Sequence, residues 1–358
     1  MKSKLKSSTK KLIVEHLDSL VRGRAAPGFQ LSLGFKTETL GCFSAGLSNP
    51  LKKRPVKDTT WFDLSSLTKI LVTVDLLMRS VQARKISDLQ QPLKNYFPFF
   101  TSDLKNRTLA ELLEHRSGLP PIFEDTPEMP NRDEKIRFFL QKVDEGYPTQ
   151  PASESFPVVY SDINFMLLGL VLESLYGKPL AQIFQNLEGL QFGPLKHRQV
   201  ATILSLDSKP KWLQGEAQDP RAAWLEGSAG HAGLFGTAFG VENWGRELFL
   251  AYHGKSLEMS DKIVRMFINL ENHSGPYVHG FDTPAKGSKV SQSGRWFAAN
   301  TTIGHLGYTG CSFWMDIEKG IRVSLLSHRF APEIDPQKLS QLRPGFHDFI
   351  MKEVFMRL

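Results

Sequence analysis

Short apolar strands near both ends of the chain, with helical periodicity between them, constrain the fold more than any other feature. Residues 29–35 and 39–44 alternate or run apolar between turn residues, which predicts a hairpin, and residues 313–316 and 321–326 form a second clear strand pair. Between them, residues 108–115, 132–144, 164–173 and 179–185 read as helices, the first capped by Thr108 and stopped by Ser117-Gly118-Leu119-Pro120-Pro121. Residues 12–21 form an amphipathic stripe through Ile13, Leu17, Leu20 and Val21, and a closing helix is predicted from about Gly345 to Met356. After Gly230 the pattern predicts short strands divided by turns. Strands at both ends with helices between them imply one sheet built from the terminal segments. The predicted class is α/β: an antiparallel sheet formed by N- and C-terminal segments and flanked by helices, with an inserted, mainly helical domain. The expected division places 1–85 and 235–358 in the sheet domain, 86–234 in the insertion, and the active site at their interface.

With 358 residues the chain is long enough for two such units. The formal net charge of +7 comes largely from Lys2, Lys4, Lys6, Lys10 and Lys11 and from Lys52-Lys53-Arg54, all read as solvated surface. No basic face interleaved with aromatics occurs, which argues against a nucleic-acid partner. Only Cys42 and Cys311 are present, too few for a disulfide-stapled secreted domain. Leu12-Ile13-Val14 is cut short by Glu15, His16 and Asp18 before it reaches the length of a secretory core, and no run is long enough to span a membrane. A cytoplasmic protein with no membrane partner is expected. Oligomeric state is not legible.

Chemistry concentrates first in Phe62-Asp63-Leu64-Ser65-Ser66-Leu67-Thr68-Lys69, at the mouth of the apolar run 70–78. Ser66 and Lys69 are three residues apart, nearly one helical turn, so a helix sets hydroxyl and amine on one face. Burial of such a helix is expected to lower the lysine pKa toward a range where it accepts a proton, giving a nucleophile beside a base. Tyr160, just ahead of an apolar helix, is either a proton shuttle or an ordinary helix-start tyrosine. Gly304-His305-Leu306-Gly307-Tyr308-Thr309-Gly310 is either a turn before a strand or a place where backbone N–H groups reach a ligand, completing an oxyanion hole with the Ser66 N–H. No metal-ligand spacing, phosphate loop or G-x-S-x-G elbow is present, and no cofactor is expected.

Taken together and in order, these segments resemble the serine β-lactamase and penicillin-binding protein family, in the class C-like branch that includes esterases, D-amino-acid peptidases and muropeptide amidases. The resemblance runs from about Pro27 to Arg329. It includes Phe62 to Lys69, Thr108 to Leu113 followed by His115-Arg116-Ser117-Gly118-Leu119-Pro120, Tyr160-Ser161-Asp162 with Asn164-Phe165, and Gly230-His231-Ala232-Gly233-Leu234-Phe235. It implies Ser66 as acylated nucleophile, Lys69 as general base, Tyr160 as donor to the leaving group, and the N–H groups of Ser66 and Tyr308 as oxyanion hole.

Two positions depart from the family pattern. Asp162 stands where asparagine is usual, which would hold Lys69 charged more strongly and weaken its unaided role as base. His305 replaces lysine in the third motif, as a second proton carrier, a hydrogen-bond donor or a structural histidine, and Leu306 replaces a threonine that faces the substrate carboxylate. Asp162, His305 and Gly307 are therefore expected around the substrate, and Leu306 lowers the expectation for β-lactams. His231 is expected to pack against backbone rather than line the cleft, and His115, Asp219 and His328 to be surface or structural. The implied activity is hydrolysis of a small ester or amide, such as a muropeptide or D-amino-acid derivative. A non-turnover binding or sensing protein is the alternative, and a true β-lactamase ranks below it.

Overall fold

The computed structural model describes residues 5–148, 156–185, 187–196, 199–206, 209–271, 273, 275–284 and 291–357. Lys2 and Lys4 lie outside the described residues. Lys6, Lys10, Lys11, Lys52 and Lys53 are exposed, as their charge requires.

Eight strands build the main antiparallel sheet: β1 (Gly28–Phe35), β2 (Glu38–Asn49), β3 (Arg54–Pro55), β4 (Tyr277–Val278), β5 (Phe281–Asp282), β6 (Thr302–Leu306), β7 (Ser312–Asp316) and β8 (Ile321–Ser327), in the order β3-β2-β1-β8-β7-β6-β5-β4. The seam is β1 against β8, in register from Phe29 opposite Ser327 to Phe35 opposite Ile321. The two ends of the chain are thereby joined.

Strand alternation sends successive side chains to opposite faces. Phe29, Leu31, Leu33, Trp314, Val323 and Leu325 face a core closed by the helices Ser7–Arg22 and Lys338–Glu353. Ile303, Phe313, Met315 and Leu326 enter the larger core on the opposite face, shared with the helices Asp162–Tyr176 and Ala238–Tyr252. The closing helix begins at Lys338 and not at Gly345, since Pro344 is accommodated inside it. Residues 86–234 carry the expected helices, with the Thr108 capping box in place, but also the short strands Leu190–Phe192, Ile203–Leu204 and Trp212–Leu213.

The expectation of strands alone after Gly230 needs correction. Leu234–Gly236 is a strand, but Ala238–Tyr252 is a helix of 15 residues. Thr237 caps it by accepting from the Gly240 N–H at 3.0 Å. Gly245 in this helix marks tight packing: a Cβ there would lie 2.5 Å from the Phe313 ring.

The same helix carries Glu242, paired at 2.7 Å with Arg322 of β8, and neither side chain is exposed. Arg322 also donates to the carbonyls of Lys36 at 2.6 Å and Gly320 at 3.1 Å, so the ion pair pins the β1–β2 turn to the centre of the sheet. Removing one partner strands a buried charge. Arg322→Met is expected to destabilise the protein by about 3–5 kcal/mol in urea unfolding, and Arg322→Met with Glu242→Leu by less.

Candidate active site

Ser66 sits on an irregular helix start. Residues Ser65–Leu67 make one 3₁₀ turn, Lys69–Val74 widen into a π turn, and a regular α-helix follows over Asp75–Gln82. Lys69 opens the π turn one helical turn after Ser66, close enough for its Nζ to reach the Ser66 hydroxyl. Ser65, just before the nucleophile position, is left-handed at φ 48°. Two contacts hold it there: the Ser65 N–H donates to Asp63 Oδ1 at 2.8 Å, and Ser65 Oγ accepts from the Tyr308 N–H at 3.2 Å. Asp63 is wholly shielded, which pushes its carboxyl up to about 6.

Lys69 is completely buried. Its Nζ donates to Ser66 Oγ at 3.0 Å and to Asp162 Oδ1 at 2.7 Å, and lies 4.8 Å from the centre of the Tyr160 ring. Burial disfavours the ammonium, but Asp162 and Tyr160 outweigh it and hold the Lys69 pKa above its ordinary value. The expectation that burial lowers this pKa is therefore corrected by the carboxylate that the sequence substitutes for asparagine. Asp162 answers in the other sense: burial opposes its charge, yet Lys69 and His231 keep it below the usual carboxylate range. Tyr160 is half-buried, its phenol raised by burial although Lys69 opposes the rise, and its ring is boxed by His115 at 4.6 Å, Tyr277 at 6.0 Å and His305 at 6.1 Å.

These groups line one cavity of about 570 Å³. Ser66, Tyr160, Asp162, His305, Leu306, Gly307 and Tyr308 all reach it. Gly307 is there for a steric reason as well, because a Cβ would lie 2.6 Å from the Leu64 carbonyl and force the end of β6 off the Ser65 turn. His305 is buried at 1% exposure, with Nδ1 2.7 Å from the Leu306 carbonyl and its pKa down to about 3 through burial and the Lys69 charge.

The residues set aside in the sequence divide. His115 is structural: its Nδ1 accepts from the Ser161 N–H at 3.0 Å behind Tyr160. His328 is structural too, clamped between the Thr202 and Leu47 carbonyls. His231 lies behind the cleft, 2.9 Å from Asp219. Asp219 is neither surface nor merely structural, since it lines the cavity, caps Pro220–Trp224 and meets Arg221 at 2.6 Å. Sequence reading also missed Arg221, Tyr277, Asp282, Arg329 and Arg343 on the cavity wall, residues that carry no local motif and arrive from separate elements. Asp162, Asp219 and His231 place ligand-type atoms within 4.8 Å of one another, but Lys69 and Arg221 already supply the positive charge those carboxylates face.

A family model, Beta-lactamase, matches residues 15–343. The chain belongs to the β-lactamase family. The chain is 28% identical over 332 residues to N-acetylmuramyl-L-alanine amidase of Bacillus subtilis (strain 168), covering 80% of this chain and 73% of that one. Among solved structures, EstCE1, a hydrolase with promiscuous acyltransferase activity, superposes with a TM-score of 0.72 at 18% identity, over 95% of this chain and 99% of that one. The D-amino acid amidase of Ochrobactrum anthropi SV3 does so with a TM-score of 0.69 at 17% identity, over 98% and 99%. These two likenesses establish the shared fold, which is of the β-lactamase and transpeptidase type.

The Asp162 carboxylate is what raises Lys69, so Asp162→Asn should lower the lysine pKa. Direct observation of the Lys69 side chain by ¹³C NMR across a pH titration is expected to show its midpoint moving to lower pH in the variant. An unmoved midpoint would exclude Asp162 as the cause.

Proposed function

We propose that this protein is a serine hydrolase that opens a small ester or amide through an acyl-enzyme on Ser66. One observation carries the reading: Lys69 Nζ touches both Ser66 Oγ and Asp162 Oδ1, two groups on the wall of a substrate-sized cavity. Lys69 is held charged, so it acts as a relay. As Ser66 Oγ attacks the carbonyl carbon, its proton passes to Lys69 while Lys69 releases one to Asp162, leaving the lysine charged throughout. The N–H groups of Ser66 and Tyr308 receive the oxyanion, and Ser65 Oγ gives up the Tyr308 N–H to it. Tyr160 protonates the leaving group, recovers its proton through Lys69, and then orients the water that releases the acyl group.

Residues 1–85 with 235–358, and residues 86–234, form the two halves bounding this cleft. Leu306 gives a substrate carboxylate no donor where the family usually has threonine, which favours substrates other than penicillins. A cell-wall muropeptide or D-amino-acid derivative fits the named activities of the amidase relatives. A cytoplasmic site of action agrees with two unpaired cysteines.

The test is a fluorophosphonate reagent followed by a panel of p-nitrophenyl esters, D-amino-acid amides, muropeptides and nitrocefin. Intact protein should gain the mass of one phosphonyl group and Ser66→Ala none, with ester or amide turnover exceeding nitrocefin turnover by at least about a hundredfold. Equal labelling of both proteins would sink the covalent mechanism. A stable acyl adduct without turnover would favour a sensing role, and rapid nitrocefin hydrolysis a β-lactamase.

A further inference from the structure

The wall of the cleft opposite Lys69 holds two acceptors that face each other without a donor. His305 Nδ1 lies 2.7 Å from a carbonyl, which can only accept, so Nδ1 carries the ring proton and Nε2 is bare. That Nε2 lies 3.8 Å from Asp282 Oδ1, and both atoms are shut off from water with no hydrogen-bond partner among the described residues. Asp282 is the last residue of β5, bridged to Gly304 of β6, the residue before His305, and at this strand end its carboxyl reaches the His305 ring. Two buried lone pairs at this distance are unfavourable unless a proton or a donor lies between them. The rest of the Asp282 carboxyl remains accessible from the cavity that contains Ser66.

We propose that Asp282, backed by His305, is a recognition point for a primary amine on the substrate, which binds as an ammonium and takes over the proton the carboxyl otherwise holds. The inference rests on the acyl-enzyme reading of this cleft and names a substrate class for it: esters or amides that carry a free amino group. The exchange balances. A free-base amine takes the carboxyl proton and binds as R–NH₃⁺ beside a carboxylate, or an ammonium binds and the carboxyl proton goes to solvent.

The groups facing Asp282 are His305 and the Leu306 N–H on β6, Tyr277 on β4 and Lys69 on the Ser66 helix, with Oδ1 left without a donor. Burial raises the Asp282 carboxyl to about 7 although Lys69 opposes the rise, so near neutrality it is available in both forms. His305 stays neutral through this range. Ammonium recognition should therefore be weak below pH 7 and grow as pH rises through it.

Two isosteric pairs test this. One is p-nitrophenyl β-alaninate against p-nitrophenyl butyrate, with the amine in the acyl half, and the other is 4-aminobutyl butyrate against pentyl butyrate, with it in the leaving half. In at least one pair the KM of the amino ester should be about tenfold lower at pH 8, the size of one charged hydrogen bond, with the ratio shrinking toward pH 5.5. Asp282→Asn should bring the ratio near one at all pH values. A preference absent from both pairs, independent of pH, or retained in Asp282→Asn overturns the proposal. The wild-type pH series alone decides if the variant does not fold. Failure of Ser66 to label overturns the acyl-enzyme reading itself, whereas labelling without amine preference overturns only this inference.

Discussion

A lysine ammonium with no exposed surface needs compensation from its surroundings, and the centre of this protein is arranged around that need. Water offers nothing at Lys69, so Asp162, Ser66 and the faces of Tyr160 and Phe165 share the charge. Tyr160, Asp162 and Phe165 come from one stretch and Ser66 from the turn that carries Lys69 itself, and each has its own support. Asp162 opens the most apolar helix of the chain, Tyr160 is walled by rings, and Ser66 is placed by a strained Ser65 that Asp63 and Tyr308 hold. The placement of the Ser66 hydroxyl is thus tied to neutralising one buried cation.

The sheet supports this arrangement from a distance. Joining β1 to β8 brings both ends of the chain into one layer, and the Arg322–Glu242 pair locks a long helix to that layer. β6 then runs out beside the Ser66 turn, where Gly307 allows backbone approach and Tyr308 turns its N–H inward. The order of strands, rather than any single motif, brings the Tyr308 N–H to the Ser66 turn.

Electrostatically the cleft is divided. Lys69 with Asp162 and Arg221 with Asp219 form two neighbouring ion pairs, joined by a 3.7 Å approach of Arg221 to Asp162. Across from them Asp282 and His305 are unmatched. One side of the cavity is internally satisfied and suited to moving a proton between fixed partners, while the other has an unmet acceptor and is suited to reading a substrate.

The sequence by itself determined the strands at both ends and the helical middle, and it singled out Ser66, Lys69 and Tyr160, which the fold brings together, because periodicity and short motifs are local and survive without coordinates. It also announced Asp162 and Leu306 as departures, since a substitution inside a motif is visible where it stands. It misjudged residues 238–252, a helix within what read as a run of short strands, and it set Asp219 aside for lack of a motif. Only the tertiary structure decided the sign of the Lys69 shift, because burial and the Asp162 charge act in opposite directions and their balance depends on a 2.7 Å contact between residues 93 positions apart. The same holds for Asp282 and His305: nothing in the sequence relates them, and they meet only where β5 ends beside β6.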